Sequence, residues 1–423
     1  MLFRALERVF VFLLLLSSMN VVIAMTPDRQ QQSRSQMLSG DVDVASVIVE
    51  GAVYTLGAIL VWTRWRRVLR AARQVWPLLL LVGIAFLSTT WSIQPMITFR
   101  RSLSLFISTA IAIYLGERYS IKEFARLLAE VLCFVIAAVL ALYFVAPDFV
   151  IDHSYGGAWK GLSSYKNTFG EHMALAIVAL YFVRFHRFRW TRYLFLFSAV
   201  VLLVLSHSAT ALVCCIVAVA AIPLWRFWRG GQSSPIYLVP AIVFCTAVVW
   251  GMVNPGPILQ ALGRDATLTG RTRLWAVLIE EIGKRPLLGY GYASFWSVVT
   301  GNLLNVWARA GWMAPIADNG YIDLVLSLGL FGATAFFFVF IGSFRNAIHY
   351  FKYTREAIGV WPVTYLCLFA LNSICESELL ARGNLPFIVF ATITTSLALS
   401  KATAQSNAKR VPLDEAEVIA TAA

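Results

Sequence analysis

The sequence predicts an all-α, polytopic membrane bundle of about twelve transmembrane helices, and three observations support this. Of 423 residues, 59% are hydrophobic and only 13% charged, with mean hydropathy +0.72, whereas soluble domains carry roughly 25% charged residues. Apolar stretches able to cross a roughly 30 Å hydrocarbon core as helices recur along the chain. Lysine and arginine concentrate in alternate connections between them, as the excess of positive charge in cytoplasmic loops requires.

The stretches are 9–25, 44–62, 75–91, 102–116, 127–146, 168–184, 190–206, 209–225, 236–253, 320–343, 358–375 and 384–400. With the N-terminus inside, the inner segments hold most of the 35 Lys and Arg, from Arg4 and Arg8 through Arg64–Arg73, Arg118–Arg126, Arg184–Arg192, Arg226–Arg229 and Arg345–Arg355 to Lys401–Arg410. Both termini are therefore expected in the cytoplasm. Residues 1–400 read as one polytopic domain with a large outer loop at 254–319, and residues 401–423 as a polar cytoplasmic tail. Residues 1–25 also fit a signal peptide, whose removal would leave the next span's orientation unchanged.

A net charge of +13 raises nucleic acid as a partner, but the basic residues follow topology and no recognition module interrupts the spans, so none is expected. The six cysteines fall in apolar stretches without metal-ligand spacing and read as packing residues. No repeat is visible, nor a pair of Gly/Pro-broken spans of the kind that marks many transporters.

Ionisable residues within spans are functional signals. The main exceptions to an otherwise apolar pattern are Glu171 and His172, with Glu376 and Glu378 at the end of the eleventh span. Attention therefore shifts to the outer connections. In "TTWSIQPMITFRRSLS" the pair Arg100 and Arg101 just precedes the fourth span, either as an interfacial anchor with Trp91 or as a site for an anionic ligand. In "DHSYGGAWKGLSSYKNTFGEHM", Asn167 can cap the sixth span while Lys166 snorkels, or this Gly-rich basic loop can offer a phosphate its N–H groups, with Glu171 a turn deeper.

Within the long loop, "LTGRTRLWAVLIEEIGKRPLLGYGYASFW" spells an amphipathic helix with Trp275, Leu278, Ile279 and Ile282 on its apolar stripe, Thr269 or Thr272 as cap and Pro286 beyond its end. Arg271 and Arg273 then lie at its N-terminal turn, where the helix dipole adds to their attraction for anions. Gly289-Tyr290-Gly291 reads as a turn, since no strand precedes it. In "APIADNGYIDLVLSLGLFG", Asp318 or Asn319 can cap the tenth span, or Asp318 can present a carboxylate to a substrate at the membrane surface. Asp41-Val42-Asp43 is an acid pair of metal-binding form, or simply the cap of the second span. No strong ligand set argues for a metal, and no cofactor is expected.

Taken in order, "WSIQPMITFRRSLSLF", "WKGLSSYKNTFGEHMALA", "LTGRTRLWAVLIEEIGKRPLLGYGYASFW", "DNGYIDLVLSLGLFG" and "LNSICESELL" resemble the O-antigen ligase and Wzy-type polysaccharide polymerase superfamily, most of all its ExoQ-like exopolysaccharide polymerases. The resemblance runs from about residue 75 to 400. It implies a C-type membrane glycosyltransferase at the periplasmic face of a bacterial inner membrane, with undecaprenyl diphosphate-linked oligosaccharide as donor and acceptor. A flippase and a chain-length regulator would be partners.

The diphosphate leaving group needs neutralising, for which Arg100, Arg101, Arg271, Arg273 and Lys166 are candidates, and the acceptor hydroxyl needs a base. Family members commonly carry His-Asn where this chain has Asp318-Asn319. A carboxylate can accept a proton but would repel phosphate, so Asp318 is expected to face the acceptor hydroxyl. Alternatively it only caps, and Glu171 or Glu376 is the base. Repeat-unit polymerase is the leading reading; a ligase with the same donor chemistry and a lipid-linked oligosaccharide transporter are the others.

Overall fold

The computed structural model describes residues 2–19, 21, 44–185, 189–229, 270–354 and 356–421. The expected span at 236–253, the pair Asp41 and Asp43, the cap candidate Thr269 and most of the loop before Gly270 lie outside the described residues. The fold is built of helices: α1 (Leu2–Ser18), α2 (Val44–Thr63), α3 (Trp65–Gln74), α4 (Trp76–Leu87), α5 (Pro95–Arg118), α6 (Ile121–Val145), α7 (Lys166–Phe182), α8 (Arg189–Leu205), α9 (Ala209–Arg229), α10 (Arg271–Lys284), α11 (Gly301–Ala310), α12 (Gly320–Tyr353), α13 (Trp361–Asn372) and α14 (Leu385–Thr421). Strand structure among the described residues is a two-residue antiparallel pair, Ile151–Asp152 with Ala158–Trp159.

Four helices are long and apolar enough to cross a membrane alone, in 95–118, 121–145, 320–353 and 385–403, or five if α3 and α4 count as one bent span. Shorter apolar helices occupy 51–63, 190–205, 209–223 and 357–372. The chain is thus a multi-pass helical membrane protein, with fewer full-length spans among the described residues than the twelve expected. The α3–α4 pair bends by 94°. The cause is in α3, whose Val68, Ala71 and Ala72 are buried while Arg66, Arg67, Arg70 and Arg73 take the other faces; that pattern suits a helix lying along a membrane surface.

Local signals set the remaining boundaries. Ser120 and Glu123 form a reciprocal capping box at α6, and Pro77, Pro95 and Pro362 stand in the first turns of α4, α5 and α13, where no N–H is missed. Helix α5 starts seven residues before the expected span, so Arg100 and Arg101 are helical and not in the connection preceding it. Helix α7 is buried around most of its circumference from Phe169 to Leu180 and packs on α6, α8, α9 and α13. Stacked Phe336, Phe340, Phe369 and Phe390 join α12, α13 and α14. At one end Glu7 takes the Arg118 guanidinium at 2.6 Å and Arg64 meets Glu117 at 2.8 Å, so two arginines read as inner charges lie beside the carboxylates that balance them.

The tenth apolar stretch is not one continuous helix. Gly329 breaks α12 with φ 65° and ψ −169°, a region open essentially to glycine alone. The backbone groups released there are taken by the turn at 286–291: Tyr290 N donates to Leu326 O (2.9 Å) and Gly291 N to Ser327 O (3.0 Å), while Leu330 N donates to Pro286 O (2.8 Å) and Phe331 N to Leu287 O (3.2 Å). Trp91, expected as an interfacial belt residue, donates its indole N–H to Leu288 O at 2.9 Å, and Ile93 N bonds Tyr290 O at 3.1 Å. Unpaired backbone groups are too costly in an apolar slab. The break exists because a turn is docked in it.

A Cβ on Gly329 would lie 2.2 Å from Leu287 C and O. Gly329→Ala is therefore expected to lower the melting temperature in detergent by several degrees. Gly342→Ala in the same helix, with nothing within 4 Å, should melt no lower than the parent. Equal melting of all three would show that the docked turn does not constrain the fold.

Candidate functional site

Asn319 caps α12, its Oδ1 accepting from Tyr321 N (3.0 Å) and Ile322 N (3.1 Å). Asp318 is freed from that task. Its backbone sits at φ 50°, unusual for a residue with a Cβ, and its carboxylate meets Arg271, Nε to Oδ2 at 3.1 Å. Arg271 opens α10 and reaches the connection between α13 and α14, donating Nη1 to Cys375 O at 2.7 Å, with Nη2 3.6 Å from Glu376 Oε1. Its side chain is only 14% exposed. One guanidinium thus joins three segments far apart in sequence.

Asn167 does not cap α7. Tyr165 holds the cap position, and Asn167 donates its amide to Glu376 Oε1 at 3.0 Å. The same pairing recurs twice: Asn372 donates to Glu171 at 3.1 Å and Asn384 to Glu378 at 3.3 Å. Glu171 and Glu378 are buried and Glu376 is 14% exposed, each bonded by an amide. Burial drives Glu376 up to about 8, with Asp318 and Glu378 adding repulsion and Arg271 opposing. Asp318 is raised by burial, again against Arg271, and Glu378 is raised by burial. At neutral pH Glu376 holds its proton, and the carboxyl group nearest Arg271 is that of Asp318, at 3.1 Å.

The other candidates fall away from this cluster. Arg100 and Arg273 are exposed. Lys166 lies over the Tyr155 ring, 5.1 Å from its centre. Arg101, a helical step of 100° from Arg100, turns inward and donates to Ala293 O. Of the expected α10 stripe, Leu278 is buried, Trp275 and Ile282 are half-buried and Ile279 is 60% exposed, while Leu274, Val277 and Glu281 complete the buried face. Glu281 can join that face because Lys284 Nζ reaches in from an exposed side chain at 2.5 Å and Tyr290 OH donates at 3.1 Å, which lowers the cost of burying it. Trp275 is retained at the site's edge, bonding Ala317 O at 2.8 Å.

Next to the ion pair is a cavity of about 280 Å³, lined by Arg101, Tyr292, Trp296, Gly320, Asp323, Ser377 and Arg382 among others. Gly320 and Ser377 adjoin Asn319 and Glu376 in sequence, and Asp323 on the cavity wall feels the charge of Asp318. Asp323, in the first turn of α12, accepts from Trp296 Nε1 at 2.7 Å, from Ala317 N at 3.3 Å and from the Ser377 hydroxyl. The sequence reading passed over Asp323, Trp296, Ser377 and Arg382. An acid three residues into an apolar helix was the available signal.

The fold and the charged layer define the class first: a multi-pass helical membrane protein with an arginine-carboxylate centre where long apolar helices end. Residues 167–337 match the family model described as O-antigen ligase. The chain is also 26% identical, over 318 residues, to the exopolysaccharide production protein ExoQ of Rhizobium meliloti (strain 1021), covering 69% of this chain and 70% of that protein. Both similarities point to the O-antigen ligase/ExoQ-like superfamily. The matched segment holds Asn167, Glu171, Arg271, Asp318 and Asp323, while Arg101, Glu376 and Arg382 reach the site from outside it.

The pH dependence of stability follows from Glu376. Its folded-state pKa of about 8 stands above the ordinary 4.5, so the stabilisation is complete below the unfolded value and is lost as pH rises through about 8. Melting in detergent should fall between pH 5 and 8, and Glu376→Gln should flatten the fall; parallel profiles would contradict the protonated Glu376.

Proposed function

We propose that this protein polymerises lipid-linked oligosaccharide repeat units into an exopolysaccharide or O-antigen. It would act at the periplasmic face of the inner membrane with both termini cytoplasmic. The observation that carries the reading is the half-buried Arg271–Asp318 pair at 3.1 Å, a cation and a basic carboxylate held together within the segment that matches O-antigen ligase.

The reaction needs an acceptor hydroxyl to attack the anomeric carbon of a saccharide on undecaprenyl diphosphate. The C–O bond to phosphate breaks as the glycosidic bond forms, the configuration inverts, and the diphosphate leaves as an anion. Of the guanidinium's five N–H donors, Nε, one on Nη1 and one on Nη2 face Asp318, Cys375 O and Glu376, leaving one donor on each Nη for the leaving group. Pre-set donors of this kind stabilise developing charge without reorganisation. Asp318 takes the hydroxyl proton as general base. Glu376 suits that role less because it is already protonated at neutral pH, and its neutrality keeps a third anion away from the diphosphate. A flippase and a chain-length regulator remain the expected partners.

The family description favours one other reading, a ligase that moves a finished glycan from the same donor onto a different acceptor such as lipid A core. The two share the chemistry above and differ in acceptor. Purified protein in liposomes with EDTA and lipid-diphosphate repeat units should yield a ladder of products. A single addition to an added lipid A core, with no ladder, would instead favour the ligase. Arg271→Ala should lower turnover at least about a hundredfold and Asp318→Asn about a hundredfold or more, each with normal membrane levels. Full activity in Arg271→Ala would remove the diphosphate role, and full activity in Asp318→Asn would move the base to Glu171 or Glu376.

A further inference from the structure

Resting on the transferase reading for its functional consequence, we propose that Glu171 is a neutral acid joined to Asn372 by two hydrogen bonds, and that it serves the reaction as a positioning residue for Arg271 and not as the base. The pair belongs to a short ladder between two elements. Asn167 and Glu171 lie four residues apart on α7 and so share a face, while Asn372 and Glu376 lie four apart where α13 ends. Asn372 bonds Glu171 at 3.1 Å and Asn167 bonds Glu376 at 3.0 Å, so each element contributes one acid and one amide.

The proton is read from the atoms left over. Glu171 and Asn372 are 5% and 3% exposed. Asn372 Nδ2 donates to Glu171 Oε1, which leaves Glu171 Oε2 and Asn372 Oδ1 buried with no hydrogen-bond partner among the described residues. Native interiors rarely leave such atoms unbonded, and an ionised carboxylate has no hydrogen to offer an amide oxygen. A carboxylic acid has one. Both groups are planar forks, so a hydrogen on Oε2 closes a ring in which each donates once and accepts once, and one proton accounts for both leftover atoms. The surrounding charges agree. Glu376 and Glu378, from the connection after α13, repel an anion at Glu171; Tyr365 of α13 and Cys214 of α9, which feel it, bring no positive charge. No charged group of α6 or α8 acts on it among the described residues.

The effect on the reaction runs through the backbone of Asn372. Its carbonyl accepts from Cys375 N at 3.0 Å and from Glu376 N at 2.9 Å, and those residues give Arg271 its carbonyl contact and its second carboxyl neighbour. Ser373 O accepts from Gly320 N at 2.8 Å, two residues beyond Asp318. Holding the Asn372 side chain therefore holds the peptide groups from which both ends of the Arg271–Asp318 pair are hung. This role needs the fork and not a charge, so a glutamine at 171 can fill it.

The test uses the full chain in nanodiscs and reads the proton by infrared difference spectroscopy. The parent spectrum minus that of Glu171→Gln should show a carboxylic acid C=O band at neutral pH, and the band should persist at about pH 9, above the Glu376 value of about 8. A carboxylate band in its place, or an acid band lost as Glu376 ionises, would overturn the inference. In the liposome assay Glu171→Gln should keep turnover within about threefold of the parent, whereas Glu171→Met, which keeps the bulk and loses the fork, should lower kcat at least about tenfold with KM little changed. Glu171→Gln as slow as Glu171→Met would mean that the carboxylate itself is needed, and full activity in Glu171→Met would remove the positioning role. The spectra need no turnover, so a parent inactive on repeat units would remove the transferase reading while the proton on Glu171 is still decided.

Discussion

The docking of the 286–291 turn into the break at Gly329 is the constraint on which the rest of the site depends. Four backbone bonds join the turn to α12, and in an apolar environment those groups have no water to fall back on. Upstream, the turn fixes the C-terminal end of α10 and so limits where Arg271 can reach. Downstream, it leads straight into Tyr292, Ala293 and Trp296 on the cavity wall. Gly289 permits the approach, since a Cβ there would stand 2.7 Å from Leu326 O. Trp91 and Ile93 clamp the turn from the other side, which ties the start of α5, and with it Arg101, to the same scaffold.

On this scaffold the charges are arranged unequally. A buried acid without a partner costs several kcal/mol or gives up its charge. Here each of Glu171, Glu376 and Glu378 takes a neutral amide, and the one well-formed contact to a buried cation goes to Asp318. An amide supports a carboxyl group in either protonation state, because the second oxygen can carry the proton. A guanidinium supports only the anion. The difference separates an acid layer held by amides from a single carboxylate held by a guanidinium at its edge.

Much of the helical layout was legible because hydropathy reports burial in lipid directly, and α6, α7 and α8 fall within a few residues of their expected places. Arg271, Asp318, Glu376 and Asn167 could be named because polar residues in an apolar chain are few. Their partnership could not, since it joins segments about fifty and two hundred residues apart. The break at Gly329 was hidden for a related reason: "LSLGLFG" keeps its hydropathy through the break, and the groups that satisfy it come from a distant turn. The α10 stripe was read correctly at Leu278 and missed at Glu281, because an apolar pattern cannot anticipate that this acid finds Lys284 and Tyr290 as partners.

The departure from His-Asn to Asp-Asn gains a physical meaning in this setting. Asn319 supplies the cap, so the residue before it is free to vary with the chemistry of the site. A histidine there could touch phosphate as a cation or as a neutral donor. Asp318 cannot, and its place on Arg271 means that any diphosphate at that guanidinium must approach from the Nη side, away from the carboxylate. In the proposed reaction the donor diphosphate is thereby confined to the Nη groups, and the acceptor hydroxyl must reach Asp318. On the proposed reading, a single substitution in the family pattern converts a phosphate contact into a divider between two substrates, with the base standing on the line between them.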